Sequence, residues 1–155
     1  MSLRILALAL GAVVVLAGCE SIDTGAASRA AMKEAIRKEP PGNYYIGRRM
    51  YKVEYKVWGW VREPGKFWNT AKLVMLNEQR VLAPDRARGK MGVDNDYEYR
   101  LNGYFSGETV YEPASNGFYP EFIFLGAEVR SSTPPNIYLQ QRQKDPKVRI
   151  LQPPA

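Results

Sequence analysis

The chain has no histidine and one cysteine among its 155 residues. The missing histidine removes the commonest general base, the Ser-His and Cys-His nucleophile pairs, and nearly all zinc chemistry. The lone cysteine leaves no internal disulfide to form. No apolar run reaches the ~20 residues that a spanning helix needs. The longest runs from Ile5 to Leu16. No internal repeat is visible, and no Ser-x-x-Lys occurs after residue 19 to stand in for a histidine base.

What is present begins at the amino terminus. Arg4 precedes the apolar stretch, whose length suits the h-region of a secretory signal. Small residues follow, then the cysteine, as Leu16-Ala17-Gly18-Cys19. This presequence resembles that of the bacterial lipoproteins, whose lipobox is Leu, two small residues and Cys. The resemblance implies a diacylglyceryl thioether on Cys19, cleavage after Gly18, and an acyl chain such as palmitate on the new amino terminus. Two or more buried chains give stable membrane attachment where one does not. The residue after Cys19 is Glu20, not the Asp that resembles an inner-membrane retention signal. That leans toward an outer membrane, facing the periplasm, in a host with two membranes.

Residues 19–155 amount to one domain. The whole chain carries a formal charge of +6, and removing residues 1–18 removes Arg4 and no acid, so the remainder stays basic. Outside the cytoplasm, nucleic acid is not an expected partner. The expected partners are the membrane through lipid on Cys19, and an envelope protein, peptidoglycan or another anionic surface polymer. Mild basicity also serves solubility alone. No cofactor and no metal is expected.

Along the chain, residues 20–25 read as a polar tether. Asp23 or Thr24 is placed to cap a helix over 26–39. Its apolar stripe of alanines with Met32 and Ile36 is narrow, so the helix packs lightly or acts as a spacer. Glu34 and Lys38 have the favourable i,i+4 spacing, and Pro40-Pro41-Gly42 ends the segment. Over 49–62, Tyr51, Val53, Tyr55, Val57 and Val61 alternate with charged residues, the period of a half-buried strand. Trp58 and Trp60 fall on its polar face. Pro64-Gly65 supplies a turn, and the apolar run 71–76 returns as the second strand of a hairpin. Residues 79–92 are basic and turn-rich. A second long alternating strand covers 97–105, with Gly103 marking a bend or bulge. A short segment at 109–111 leads to a loop over 112–117, and 122–129 reads as a central apolar strand. After Ser131 the chain becomes Pro-rich, basic and glutamine-rich, with 137–141 and 148–151 as short strands or docking segments.

These elements argue an all-β domain, a small OB-like five-stranded barrel with an N-terminal helix and an irregular C-terminal tail. An SH3-like barrel or a small sandwich is the alternative. The expected division is a signal peptide over 1–18, a lipidated tether and short helix over 19–46, the barrel over 47–131, and the tail over 132–155.

The candidate binding residues are Trp58, Trp60 and Trp68, brought together by the Pro64-Gly65 turn, with Arg86 from the basic loop. Exposed rings of this kind stack on sugars or hold a partner chain. Burial under the helix or tail is the other reading and the favoured one, since large apolar side chains are mostly buried. Asp94, Asp96 and Glu98 are spaced to share one strand face, where they begin a calcium ligand set or simply meet solvent. Carboxylate-only hydrolysis, through Glu54 or through Asp96 with Glu98, needs two carboxylates at a set distance, which sequence does not supply. Ser115 and Asn116 carry polar groups in a loop that Pro, Asn and Gly also build for geometric reasons. The reading that follows is a membrane-anchored, non-enzymatic binding or assembly module, with a lipid-anchored ligand or glycan binder as the alternative.

Overall fold

The computed structural model describes residues 24–138 and Pro154; the presequence, Cys19 and the tail segment 148–151 lie outside the described residues. Five strands close into a barrel in the order β1-β2-β3-β5-β4. They are β1 (Tyr45–Lys52), β2 (Lys56–Arg62), β3 (Lys72–Asn77), β4 (Glu98–Glu112) and β5 (Gly117–Ser131). All neighbouring pairs are antiparallel except β3 with β5, which is parallel. This is an OB-like all-β barrel, and closure rules out the open sandwich. Among the described residues two α-helices accompany it, α1 (Thr24–Arg37) before the barrel and the single turn α2 (Pro84–Ala87) between β3 and β4, together with a 3-10 turn at Trp68–Thr70.

The alternating segment 49–62 is not one strand. It is a tight hairpin, in which Tyr51 stands opposite Val57 and Lys52 opposite Lys56. Lys56 takes a left-handed φ of 59° to close the turn, without glycine or proline to announce it. The 63–66 turn does follow its composition: Gly65 has φ 74°, and the Lys66 N–H donates to the Glu63 carbonyl at 3.3 Å, as a type II turn requires. The segments 97–105 and 109–111 are parts of one strand, β4, whose register with β5 shifts between Phe105 and Thr109. A second shift falls at Asn102/Gly103. Gly103 has no alternative there, since a Cβ would lie 2.2 Å from the Ile123 carbonyl oxygen and 2.6 Å from the Phe122 ring.

Period-two alternation gives the barrel two faces. Inside, Val57, Val61, Val74, Leu76, Tyr99, Leu101, Phe122 and Phe124 form the main core. Tyr45, Phe105 and Phe122 meet edge to face, with centroids 5.2 to 5.6 Å apart, the arrangement aromatic quadrupoles favour. Outside, Ile46 and Trp60 meet Ile36 of α1, Trp68 and Ile137 in a second apolar cluster. Ile36 is thus the peg of α1. Burying such a side chain contributes about 2 kcal/mol. Most of the remaining helix is exposed, as its narrow stripe implies. Glu34 pairs with Arg37 and Lys38 at 3.2 and 3.6 Å. Among the described residues no helix is long and apolar enough to cross a membrane.

Beyond α1, Glu39 locks the linker to the barrel. It accepts from both terminal nitrogens of Arg62 at 2.7 Å, from Arg130 at 2.7 Å and from the Gly65 N–H at 2.8 Å. Burial disfavours the ionised carboxylate, but the hydrogen bonds from Arg62, Arg130 and Gly65 outweigh it and hold Glu39 at a pKa of about 2.

Candidate functional site

The register brings the end of β1, the start of β2, the end of β3 and the start of β4 to one end of the barrel. The β1–β2 turn (53–55) and the long β3–β4 connection (78–97) emerge together there. This loop end holds the candidate site.

The three tryptophans are not part of it. Trp58, Trp60 and Trp68 are 0%, 4% and 0% exposed. Trp60 and Trp68 do lie together, in the outer cluster roofed by Ile36 of α1 and Ile137 of the first tail residues, whereas Trp58 is buried outside that cluster. Two guanidiniums lie over the Trp68 ring, those of Arg62 and Arg48 at 4.7 and 5.3 Å from its centroid. Arg48 is itself buried and donates to the Pro135 carbonyl at 2.9 Å. Of the two readings the sequence offered for these rings, an exposed stacking platform and burial under the helix or tail, the structure has burial: cation–π contacts and Ile137 cover Trp68 and Trp60, and Trp58 is also inside.

Arg86 is at the loop end, in a network centred on Arg49. Residues 48 and 49 point to opposite faces of β1, so Arg49 enters the barrel end. Its guanidinium meets Glu78 at 2.6 Å, Asp85 at 2.9 Å and Asp94 at 3.1 Å. Arg86 joins through Glu78 at 3.0 Å. Asp85 also accepts the Arg86 and Gly92 N–H groups at 2.7 Å each, and Asp94 accepts the Tyr99 hydroxyl at 2.5 Å. Burial opposes the charge on Arg49, yet Glu78 and Asp85 raise its pKa. Burial likewise opposes ionisation of Asp85, yet the Gly92 N–H and Arg49 lower its pKa. For Asp94, burial wins, with Asp85 adding repulsion, and its pKa rises.

The shared carboxylate face over 94–98 is not found. β4 begins at Glu98, and Asp96 takes φ 67°. Asp94 consequently turns inward to Arg49, whereas Asp96 and Glu98 turn to Arg48 at 3.6 and 3.4 Å. Among the described residues no cluster of carboxylates and cysteine is arranged to hold a metal ion.

By tying loop 78–97 down, the Arg49 network shapes an open cleft of about 500 Å³. Val57 and Leu76, whose inner sides belong to the core, form its floor. Met75, Met91 and Val110 add apolar wall, and Lys56, Arg86, Glu78 and Glu121 add charge. Glu121 accepts from the Asn77 amide at 2.7 Å. Such a lining suits an apolar group flanked by polar atoms of either sign. A smaller cavity of about 320 Å³, beside Tyr45, Lys72 and Phe105, opens elsewhere on the barrel.

The second feature missed by sequence reasoning is the distal half of the β4–β5 hairpin. β1 pairs with β4 only as far as Leu101, and β3 pairs with β5 only from Glu121 to Ile123, where Phe122 stands opposite Phe105, so beyond Phe105 and before Glu121 the two strands run on as an arm. The arm exposes Tyr111 and Phe118, 47% and 70% accessible, with ring centroids 5.2 Å apart. The loop at its tip is built by its own side chains. Glu112 accepts the Ala114 and Ser115 N–H groups at 2.8 and 2.9 Å as well as the Ser115 hydroxyl. Asn116, at φ 50°, accepts the Tyr111 hydroxyl at 3.1 Å. Ser115 and Asn116 thus serve turn geometry. The signal for the arm was available: Tyr111 and Phe118 stand at equal distances on either side of the turn.

Set against known protein families, curated proteins and solved structures, the chain matches none of them.

Proposed function

We propose that this chain is a lipid-anchored cell-envelope protein whose OB-like barrel is a non-enzymatic binding or assembly module. The observation that carries the module is the arm. A tilted aromatic pair at the exposed end of a hairpin is a ready contact for another protein, since aromatic side chains give large contact area at small entropic cost. The anchoring rests on Leu16-Ala17-Gly18-Cys19. Crosslinking in intact cells, followed by purification and identification of what accompanies the protein, tests both parts. A protein partner is expected with the native chain and not with Cys19→Ala or with Phe118→Ser plus Tyr111→Ser. An unchanged set of crosslinked species in the arm variant would defeat the assembly reading.

The cleft supports a second reading, a small-ligand or glycan binder. Its volume falls in the range of small-molecule sites, and Arg86 and Lys56 stand at its wall. A thermal-shift screen with sugars and peptidoglycan fragments tests it. A stabilised melting transition that Arg86→Gln abolishes would favour this reading over the first.

A further inference from the structure

We infer that the loop end of the barrel is a membrane-contact surface, and that its partner is a leaflet bearing anionic phospholipid headgroups. The inference deepens the anchored-module reading, from which it takes the presence of a membrane. The observation behind it is a sorting of charge. The connection 78–97 carries acids and bases in similar number, but the structure separates them. Three of its four carboxylates, Glu78, Asp85 and Asp94, are buried around Arg49, and the fourth, Asp96, is half-buried against Arg48. Of its four cations, Arg86 is half-buried against Glu78, while Arg80, Arg88 and Lys90 are exposed, as is Lys56 at the neighbouring turn. Glu54 is an exposed carboxylate on that same turn. What faces outward is therefore strongly cationic, although the segment as a whole is not.

Apolar tips stand among these cations. Val53 and Val93 are 66% and 60% exposed, and Met91 and Leu82 lie near half exposure. Scattered apolar residues on a surface need no explanation. These belong to two connections that emerge at one end and are fastened together. The Asn95 side chain accepts from the Tyr51 N–H at 2.7 Å and donates to the Tyr51 carbonyl at 3.0 Å. The Asp96 N–H donates to the Arg49 carbonyl at 3.0 Å. The tips are thus presented by a braced platform and not by a free loop.

Apolar tips ringed by lysine and arginine match the cross-section of a bilayer surface. The tips enter the acyl boundary while the cations remain among the phosphates. A soluble polyanion would satisfy the cations and offer nothing to Val53 and Val93, which is why lipid fits better than an acidic polymer. Each cation near an anionic leaflet contributes roughly fivefold in partitioning. Four of them give a factor of several hundred by the same estimate, and it collapses at high salt, where the screening length is ~3 Å at 1 M.

The test uses the full chain with Cys19→Ala, so that lipidation plays no part in the readout. A single cysteine at position 93 carries an environment-sensitive fluorophore. A companion protein carries it at position 66, in the β2–β3 connection at the opposite end. Each is mixed with vesicles of phosphatidylglycerol and phosphatidylcholine, or of phosphatidylcholine alone. The expected result is a blue shift and loss of iodide quenching at position 93 with anionic vesicles only. The label at position 66 stays silent, and the response at 93 disappears in 1 M salt. Replacing Lys56, Arg80, Arg88 and Lys90 together with glutamine lowers partitioning at least ~100-fold. Lys66→Gln with Lys72→Gln, at the other end, leaves it unchanged. Equal responses at 93 and 66, or equal responses to both vesicle types, overturn the inference. So does a response to dextran sulfate with none to vesicles, which would assign the rim to acidic polymers. Failure here leaves the crosslinking result for the anchored module untouched, and failure of lipidation leaves this result untouched.

Discussion

Replacing Glu39 with glutamine removes the charge that joins the helical linker to the barrel while keeping its shape. Its carboxylate side chain is 4% exposed and Arg62 is 1% exposed, so solvent screens the pair little. Glu39 is held at about 2 against an ordinary value of 4.5. A depressed acid contributes stability above its unfolded pKa and loses it as pH falls through the folded one. At ~1.4 kcal/mol per unit, the ionised carboxylate contributes roughly 3 kcal/mol at pH 7. By the same linkage the contribution is about 1.4 kcal/mol at pH 3 and about 0.4 at pH 2. Urea unfolding of the native chain and Glu39→Gln, measured side by side from pH 7 to pH 2, reads this difference directly. The gap between the curves should be about 3 kcal/mol at neutral pH and close by pH 2. Other acids titrate in both proteins and cancel in the difference. Glu63→Gln, at an exposed neighbour, should stay within about 0.5 kcal/mol of the native chain. A gap that does not change with pH would mean that packing, not the ion pair, holds the linker, and would refute the reasoning.

Gly103→Ala should cost more than ~3 kcal/mol or prevent folding, because the added methyl meets the Ile123 carbonyl and the Phe122 ring; circular dichroism melts check it. Arg49→Met should destabilise the protein by about 3–5 kcal/mol at neutral pH by leaving buried carboxylates unpaired. Burial already pushes the Asp94 carboxyl up, so the deficit in urea unfolding should shrink toward low pH as Asp94 takes up its proton. Tryptophan emission should be blue-shifted and nearly insensitive to iodide, since all three indoles are buried. Ile137→Ser opens the cover over Trp60 and should raise quenching before any change in barrel melting.

Much of the fold was legible in residue order. Alternation marked the strands, Pro64-Gly65 marked its turn, and the narrow stripe of α1 announced a lightly packed helix held by Ile36. The division of 49–62 was not legible. Val53, Glu54 and Tyr55 form a turn without turn residues, and the alternation runs through it because Tyr51 and Val57 face the same interior from opposite strands. The role of Trp58 and Trp60 was not legible either. Two apolar rings on a polar face mean exposure or a second cover, and for Trp60 the docking of Ile36 and Ile137 chooses.

Sequence by itself determined which segments are extended, where the barrel begins and ends to within a few residues, and that no histidine chemistry operates. Those properties depend on side-chain period and composition, which are local. Tertiary structure decided which charges face water. Glu78, Asp85 and Asp94 lie up to sixteen positions apart, yet all turn to Arg49 on another strand. Arg80, Arg88 and Lys90, their sequence neighbours, are left at the surface. Burial of an ion requires a partner of opposite sign at close range, and that partner is supplied by the strand register, not by the local sequence.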